Sequence, residues 1–165
     1  MKMGITVRRG MLAAVLAASV ALGGCAAGQQ SAVNEEQQAN RTYMSQVNEA
    51  MMQLDDDLDS FVDAVSRGDV VNMRTQADNA YKSLDKIKSL EAPEALSDIH
   101  KNYVEGTDKL REALDQYIDL YAKASSAGSS FDWSKYDDQI KSIQKLYDEG
   151  VKALEEGDKT AAETK

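Results

Sequence analysis

From Met44 onward the chain repeats large apolar residues at intervals of three and four, the spacing that gathers them on one face of an α-helix. The first such segment carries Met44, Val47, Met51, Leu54, Leu58, Phe61 and Val65, separated by Glu, Gln and Asp. Arg67-Gly68 interrupts it, and the pattern restarts with Val70, Met73, Ala77, Ala80, Leu84 and Ile87. A third segment begins around Pro93, which suits a first helical turn because the N–H it lacks would have no partner there. Its stripe is Leu96, Ile99, Tyr103, Gly106, Leu110, Ala113, Tyr117 and Leu120, widened by Leu114, Ile118 and Tyr121. The run Ser125-Ser126-Ala127-Gly128-Ser129-Ser130 breaks the pattern and predicts a flexible loop. A last helix carries Tyr136, Ile140, Ile143, Tyr147, Gly150, Val151 and Leu154, with Asp132 placed to cap it and Phe131 and Tyr136 placed as a hydrophobic staple.

No segment shows the alternation of a strand. Four amphipathic helices with short connections predict an all-α fold, an elongated antiparallel four-helix bundle over residues 43–158. The sustained spacing predicts near-parallel axes crossing at ~20°, and a third helix of about 30 residues would span ~45 Å. A three-helix bundle with a detached fourth helix and an extended coiled-coil hairpin share the same pattern. The bundle segment, about 115 residues, is long enough to bury a real core and contains no cysteine, so packing alone must hold it. Residues 159–165 read as a disordered tail.

Ahead of the bundle, residues 25–42 are polar and poor in large apolar side chains, a composition that cannot offset its ordering entropy. They read as a tether that turns helical only near its end. Residues 1–24 have a basic start (Lys2, Arg8, Arg9), an apolar run from Met11 to Leu22 and then small residues, the plan of a cleaved secretory signal. The apolar run is about a dozen residues, well short of the ~20 a spanning helix needs.

Leu22-Gly23-Gly24-Cys25 resembles the lipobox of bacterial lipoproteins. That resemblance implies cleavage before Cys25, a diacylglycerol on its thiol, and in some envelopes an N-acyl chain as well; no other cofactor is expected. Two acyl chains give firm attachment where one is marginal, so the expectation is an exported protein lipid-anchored on the outer face of the cell membrane. Ala26, rather than Asp, follows the cysteine, which by the same resemblance implies the outer membrane where the cell has two. Thr6 to Leu12 is similar in part to a twin-arginine export signal, but its flanks are incomplete and the general secretion route is expected.

Charge narrows the class of partner. The chain has 19 Lys and Arg against 28 Asp and Glu; removing residues 1–24 takes away three basic residues and no acidic ones, leaving a net charge of −12. So acidic a surface should repel nucleic acid and anionic lipid headgroups. Membrane contact is then expected through covalent lipid rather than a basic patch.

Several constellations suggest chemistry and are better explained by structure. Arg67-Gly68-Asp69 is an adhesion tripeptide, but Arg67 suits a helix C-terminus, Gly68 a left-handed ending and Asp69 an N-cap. Leu54-Asp55-Asp56-Asp57-Leu58-Asp59 looks like a calcium sequence, yet counting from Asp55 the sixth and twelfth positions hold Ser60 and Ser66 instead of glycine and glutamate. The aspartates are expected on the solvent face, and no metal site is expected. His100 is the only histidine, and Ser97, three residues before it, replaces the glutamate of a di-iron bundle. It is expected to be a rim residue. No nucleophile, base and orienting group can be assembled, so no catalytic residues and no enzyme are expected.

Tyr103, Tyr117, Tyr121, Tyr136 and Tyr147 fall on the third and fourth helices and could share one groove, with core-margin packing as the alternative. They are the candidate partner surface. Leu90-Glu91-Ala92-Pro93-Glu94-Ala95-Leu96, followed by Ile99-His100 and Tyr103, resembles small helical-bundle lipoproteins of bacterial envelopes whose function is unknown, and this resemblance implies no activity. The expected role is a non-enzymatic binding or structural module that meets an envelope protein or glycan. The alternative is a carrier or sensor for a small molecule or divalent cation, which would need an interior cavity of ~300 Å³ or more.

Overall fold

The computed structural model describes residues 30–163, with side chains from Glu35 onward. The signal segment, the lipobox residues Leu22, Gly23, Gly24 and Cys25, and the first part of the tether lie outside the described residues. Four helices make up the rest: α1 (Gln30–Ser66), α2 (Val70–Lys88), α3 (Ser97–Ala127) and α4 (Asp137–Glu163). Short 3₁₀ turns at Glu94–Leu96, Gly128–Ser130 and Trp133–Tyr136 complete the connections, and no strand occurs among the described residues.

The order is up, down, up, down. Along α2 and α3 the cross-links are Tyr81 to Asp115, Arg111 to Asp85, and Lys88 to Asp108; partner numbers fall as those of α2 rise, so the pair is antiparallel. Tyr103 to Asp158 and Lys109 to Glu149 give the same result for α3 and α4. The Phe61 and Tyr117 rings, 5.6 Å apart, join α1 to α3 across the interior. Since α4 packs along the length of α3, neither the detached helix nor the two-helix hairpin describes the molecule.

Hydrophobic spacing located each helix, but the buried face of α1 is turned slightly from the expected stripe. Val47, Leu54, Leu58 and Phe61 are buried as expected, joined by Tyr43, Ala50 and Ala64, whereas Met44, Met51 and Val65 are only partly covered. Small residues lie at the centre because the helices approach closely there, and the longer side chains close the flanks. The same approach explains the glycines of the α3–α4 seam. A Cβ at Gly106 would fall 2.6 Å from Leu154 Cδ2 and 2.9 Å from the carbonyl oxygen of Gly150. A Cβ at Gly157 would fall 2.7 Å from the Tyr103 ring.

Helix ends follow their sequences. Gly68, at φ +69°, closes α1: its N–H bonds Val65 O at 3.0 Å, and the Asp69 N–H bonds Ala64 O at 3.0 Å. This is the double bond pattern by which a left-handed glycine satisfies the last carbonyls. Asp69 then caps α2 by accepting from the Asn72 N–H at 3.1 Å.

Four expectations need correction. Ser125, Ser126 and Ala127 end α3 and Gly128–Ser130 form a 3₁₀ turn, so the expected loop over 125–130 is ordered. Residues 30–42 are helical: α1 starts at Gln30, although nothing before Tyr43 is buried among the described side chains. Glu, Gln and Ala favour the helix, and extension from a packed helix avoids the cost of a nucleus. Residues 159–163 are part of α4 rather than a tail, with Ala161 packed against the core. Asp57 leaves the solvent face: it is 6% exposed, accepting from Ser83 Oγ at 2.7 Å and Gln53 Nε2 at 3.0 Å. Two donors offset the desolvation of a carboxylate placed between α1 and α2.

Candidate functional site

The topology gives the bundle two distinct ends. At one, the start of the packed part of α1 meets the end of α2, the start of α3 and the end of α4. At the other, the α1–α2 turn lies with the α3–α4 connection, about 45 Å away along the 31 residues of α3. The first, where α1 enters the bundle, is the proximal end and the second the distal end.

The distal end is built by local chemistry. Asp132 accepts from the Ser134 N–H at 3.2 Å and from its hydroxyl at 2.7 Å, which lowers the Asp132 carboxyl below its ordinary range and fixes the turn before α4. Phe131 stacks on Tyr136 at 4.6 Å, realising the expected staple, and meets Trp133 edge-on at 4.7 Å. Phe131 and Tyr136 pack down onto Ala113, Leu120 and Ile143. Trp133 remains 40% exposed. Across the same end, the first turn of α2 presents Val70 and Val71, the latter 77% exposed.

The candidate tyrosines separate into two groups. Tyr103 is withdrawn from any partner surface: it is fully buried at the proximal end, and its hydroxyl donates to Asp158 Oδ1 at 2.7 Å. A ring on the inner line of α3 has no other place once Gly157 brings α4 against it. Tyr117, Tyr136 and Tyr147 share the Ala113–Leu120–Ile143 cluster, and Tyr121 stacks beside Tyr117 at 6.5 Å. Burial pushes the Tyr117 hydroxyl up to about 12, and burial together with the carboxylates of Asp55, Asp148 and Asp59 raises that of Tyr147. These four are half-buried at the margin of the core. What sequence reasoning missed is the exposed trio Val70, Val71 and Trp133. Val71 offered the one available signal, an apolar residue off the stripe of α2.

The remaining motifs are occupied by structural partners. Arg67 pairs with Asp63, and both Asp69 oxygens bind Asn72. No group of carboxylates, histidines or cysteines suited to a metal ion occurs among the described residues. His100 is half-buried, with Nδ1 2.9 Å from the Tyr43 hydroxyl. One surface concavity runs along α4 at Lys141, Lys145 and Lys152 and another along α3 at His100, Val104 and Asp108. Each is open and lined by a single helix, and neither enters the core. No described helix is long and apolar enough to cross a membrane.

Compared with protein-family models, curated proteins and solved structures, the chain matches none.

Proposed function

We propose that the mature protein is a lipid-anchored envelope lipoprotein, exported and held to the membrane through Cys25, whose acidic bundle carries a non-enzymatic binding surface at its far end. The observation that carries the binding reading is the distribution of exposed apolar side chains. Among the described residues, four large ones stand clear of the core, Met52, Val70, Val71 and Trp133, and three of these lie at the distal end. Such groups on a soluble surface are what a partner would cover, and an aromatic fixed by stacking loses little entropy when it is covered. An envelope protein or glycan at the far end of α1, whose 37 residues span about 55 Å, fits this placement, and a net charge of −12 argues against nucleic acid or anionic headgroups. The carrier reading is less supported, because it needs an enclosed cavity and the concavities found are open single-helix surfaces.

The anchor is tested by metabolic labelling with a fatty-acid analogue. Wild-type protein should take up label and sediment with membranes, and Cys25→Ala should do neither. Unlabelled wild-type protein would sink the lipoprotein reading.

A further inference from the structure

The proximal end holds four ionisable side chains from three helices, and they are not evenly satisfied. On the α1–α3 side, burial pushes the Tyr43 hydroxyl up to about 12, so it stays protonated beside His100 Nδ1, 2.9 Å away. On the α3–α4 side, Tyr103 donates to only one oxygen of Asp158. The other, Oδ2, is shielded from solvent with no hydrogen-bond partner, and so is Asn40 Oδ1 on α1. Two shielded acceptors therefore occupy this end with no donor for either.

Among the described residues no cation pairs with the carboxylate: Lys159, next in sequence, is engaged with Glu156, and Lys101 of α3 with Asp98. The neighbours acting on Asp158 are the Tyr103 hydroxyl from α3 and Glu155 on its own helix, with Tyr43 from α1 and His100 from α3 completing the cluster. Burial raises the Asp158 carboxyl above its ordinary range; the Tyr103 bond opposes the rise and Glu155 adds to it.

We propose that this end is a proton-operated latch, in which α4 docks loosely over its last turns while Asp158 is ionised and seats fully when a proton occupies Oδ2. The proton turns one of two unmatched acceptors into a donor and removes an unpaired charge beside Glu155. The latch lies where α4 is most tightly fitted to α3, with Gly157 against the Tyr103 ring and Leu154 over Gly106, so loosening there frees the final segment without opening the distal half.

The direction follows from linkage. A carboxyl raised on folding destabilises the folded state when ionised, so stability is gained as pH falls through its folded value and the gain is complete below the ordinary aspartate range. His100, lowered by burial, acts oppositely: its contribution is present above about 6.5 and is lost as pH falls through its depressed folded value.

Hydrogen exchange of the full chain, corrected for intrinsic rates, tests the latch. Protection over residues 154–163 should rise severalfold in wild type as pH falls from 7.5 to about 4, the ordinary aspartate value. In Asp158→Asn it should already be high at pH 7.5 and flat. Tyr103→Phe, which removes the bond opposing the rise, should move the midpoint of the wild-type response to higher pH. An Asp158→Asn protein that keeps the wild-type pH response, or is less protected than wild type at pH 7.5, overturns the proposal. So does a Tyr103→Phe midpoint that stays in place.

Discussion

Gly106→Val should destabilise the bundle by about 3 kcal/mol, at the upper end of what overpacking a tight core costs. Even a single Cβ at this position would meet Leu154 Cδ2 at 2.6 Å and the Gly150 carbonyl oxygen at 2.9 Å. The leucine can rotate, but the carbonyl belongs to the backbone of α4. The added methyls must therefore push the two helices apart, and the gain in helix propensity over glycine, at most about 1 kcal/mol, is too small to offset that. A urea titration should show a lower midpoint with an unchanged slope, the signature of lost stability without a change in compactness. A midpoint within error of wild type would mean that the seam is looser than described.

Leu154→Ala should cost a comparable amount for the opposite reason. Leu154 is 1% exposed, and truncating such a leucine costs about 2–5 kcal/mol through lost transfer energy and the cavity left behind. The two sites touch, so their effects should not add. In the Gly106→Val, Leu154→Ala double variant the valine methyls can enter the space the leucine leaves. The combined loss should then be smaller than the sum of the single losses by ~1 kcal/mol or more. Strict additivity would show that the clash at residue 106 is with backbone alone.

These glycines show where sequence reading stops. Gly106 and Gly150 fall on the apolar stripes, so their burial was legible; why they are glycine was not, since the reason is an atom on another helix. Gly157 continues the same spacing three residues past Leu154, where the stripe was ended too early. Tyr103 and Tyr117 had the same spacing and residue type, yet one is sealed under Gly157 while the other lines the margin against Phe61. The difference lies in how closely α4 approaches at each level. Asp57 was hidden for a related reason: among aspartates at 55, 56, 57 and 59, only the position facing Ser83 is drawn inside. Local punctuation was read well, because capping is local. Gly68 has its positive φ, Asp69 caps α2, and Phe131 stacks on Tyr136. The helix limits were read less well, since α1 extends past the apolar pattern on exposed residues and α4 extends past it with Ala161 adding a core contact.

The separation of the two ends gives the bundle its meaning in this account. Its acidic flanks carry mostly exposed ion pairs, such as Lys86 with Glu49 and Lys145 with Glu149, which contribute little stability and leave the surface well hydrated. The distal aromatic turn differs from them in being apolar, pre-stacked and partly open. The most direct measurement is site-specific photo-cross-linking in intact cells, with the reactive residue placed at Val71, at Trp133, or at Lys101 on the proximal flank. The account predicts one and the same specific adduct from positions 71 and 133 and none from 101. No adduct from either distal position, or an identical set from all three, would contradict it.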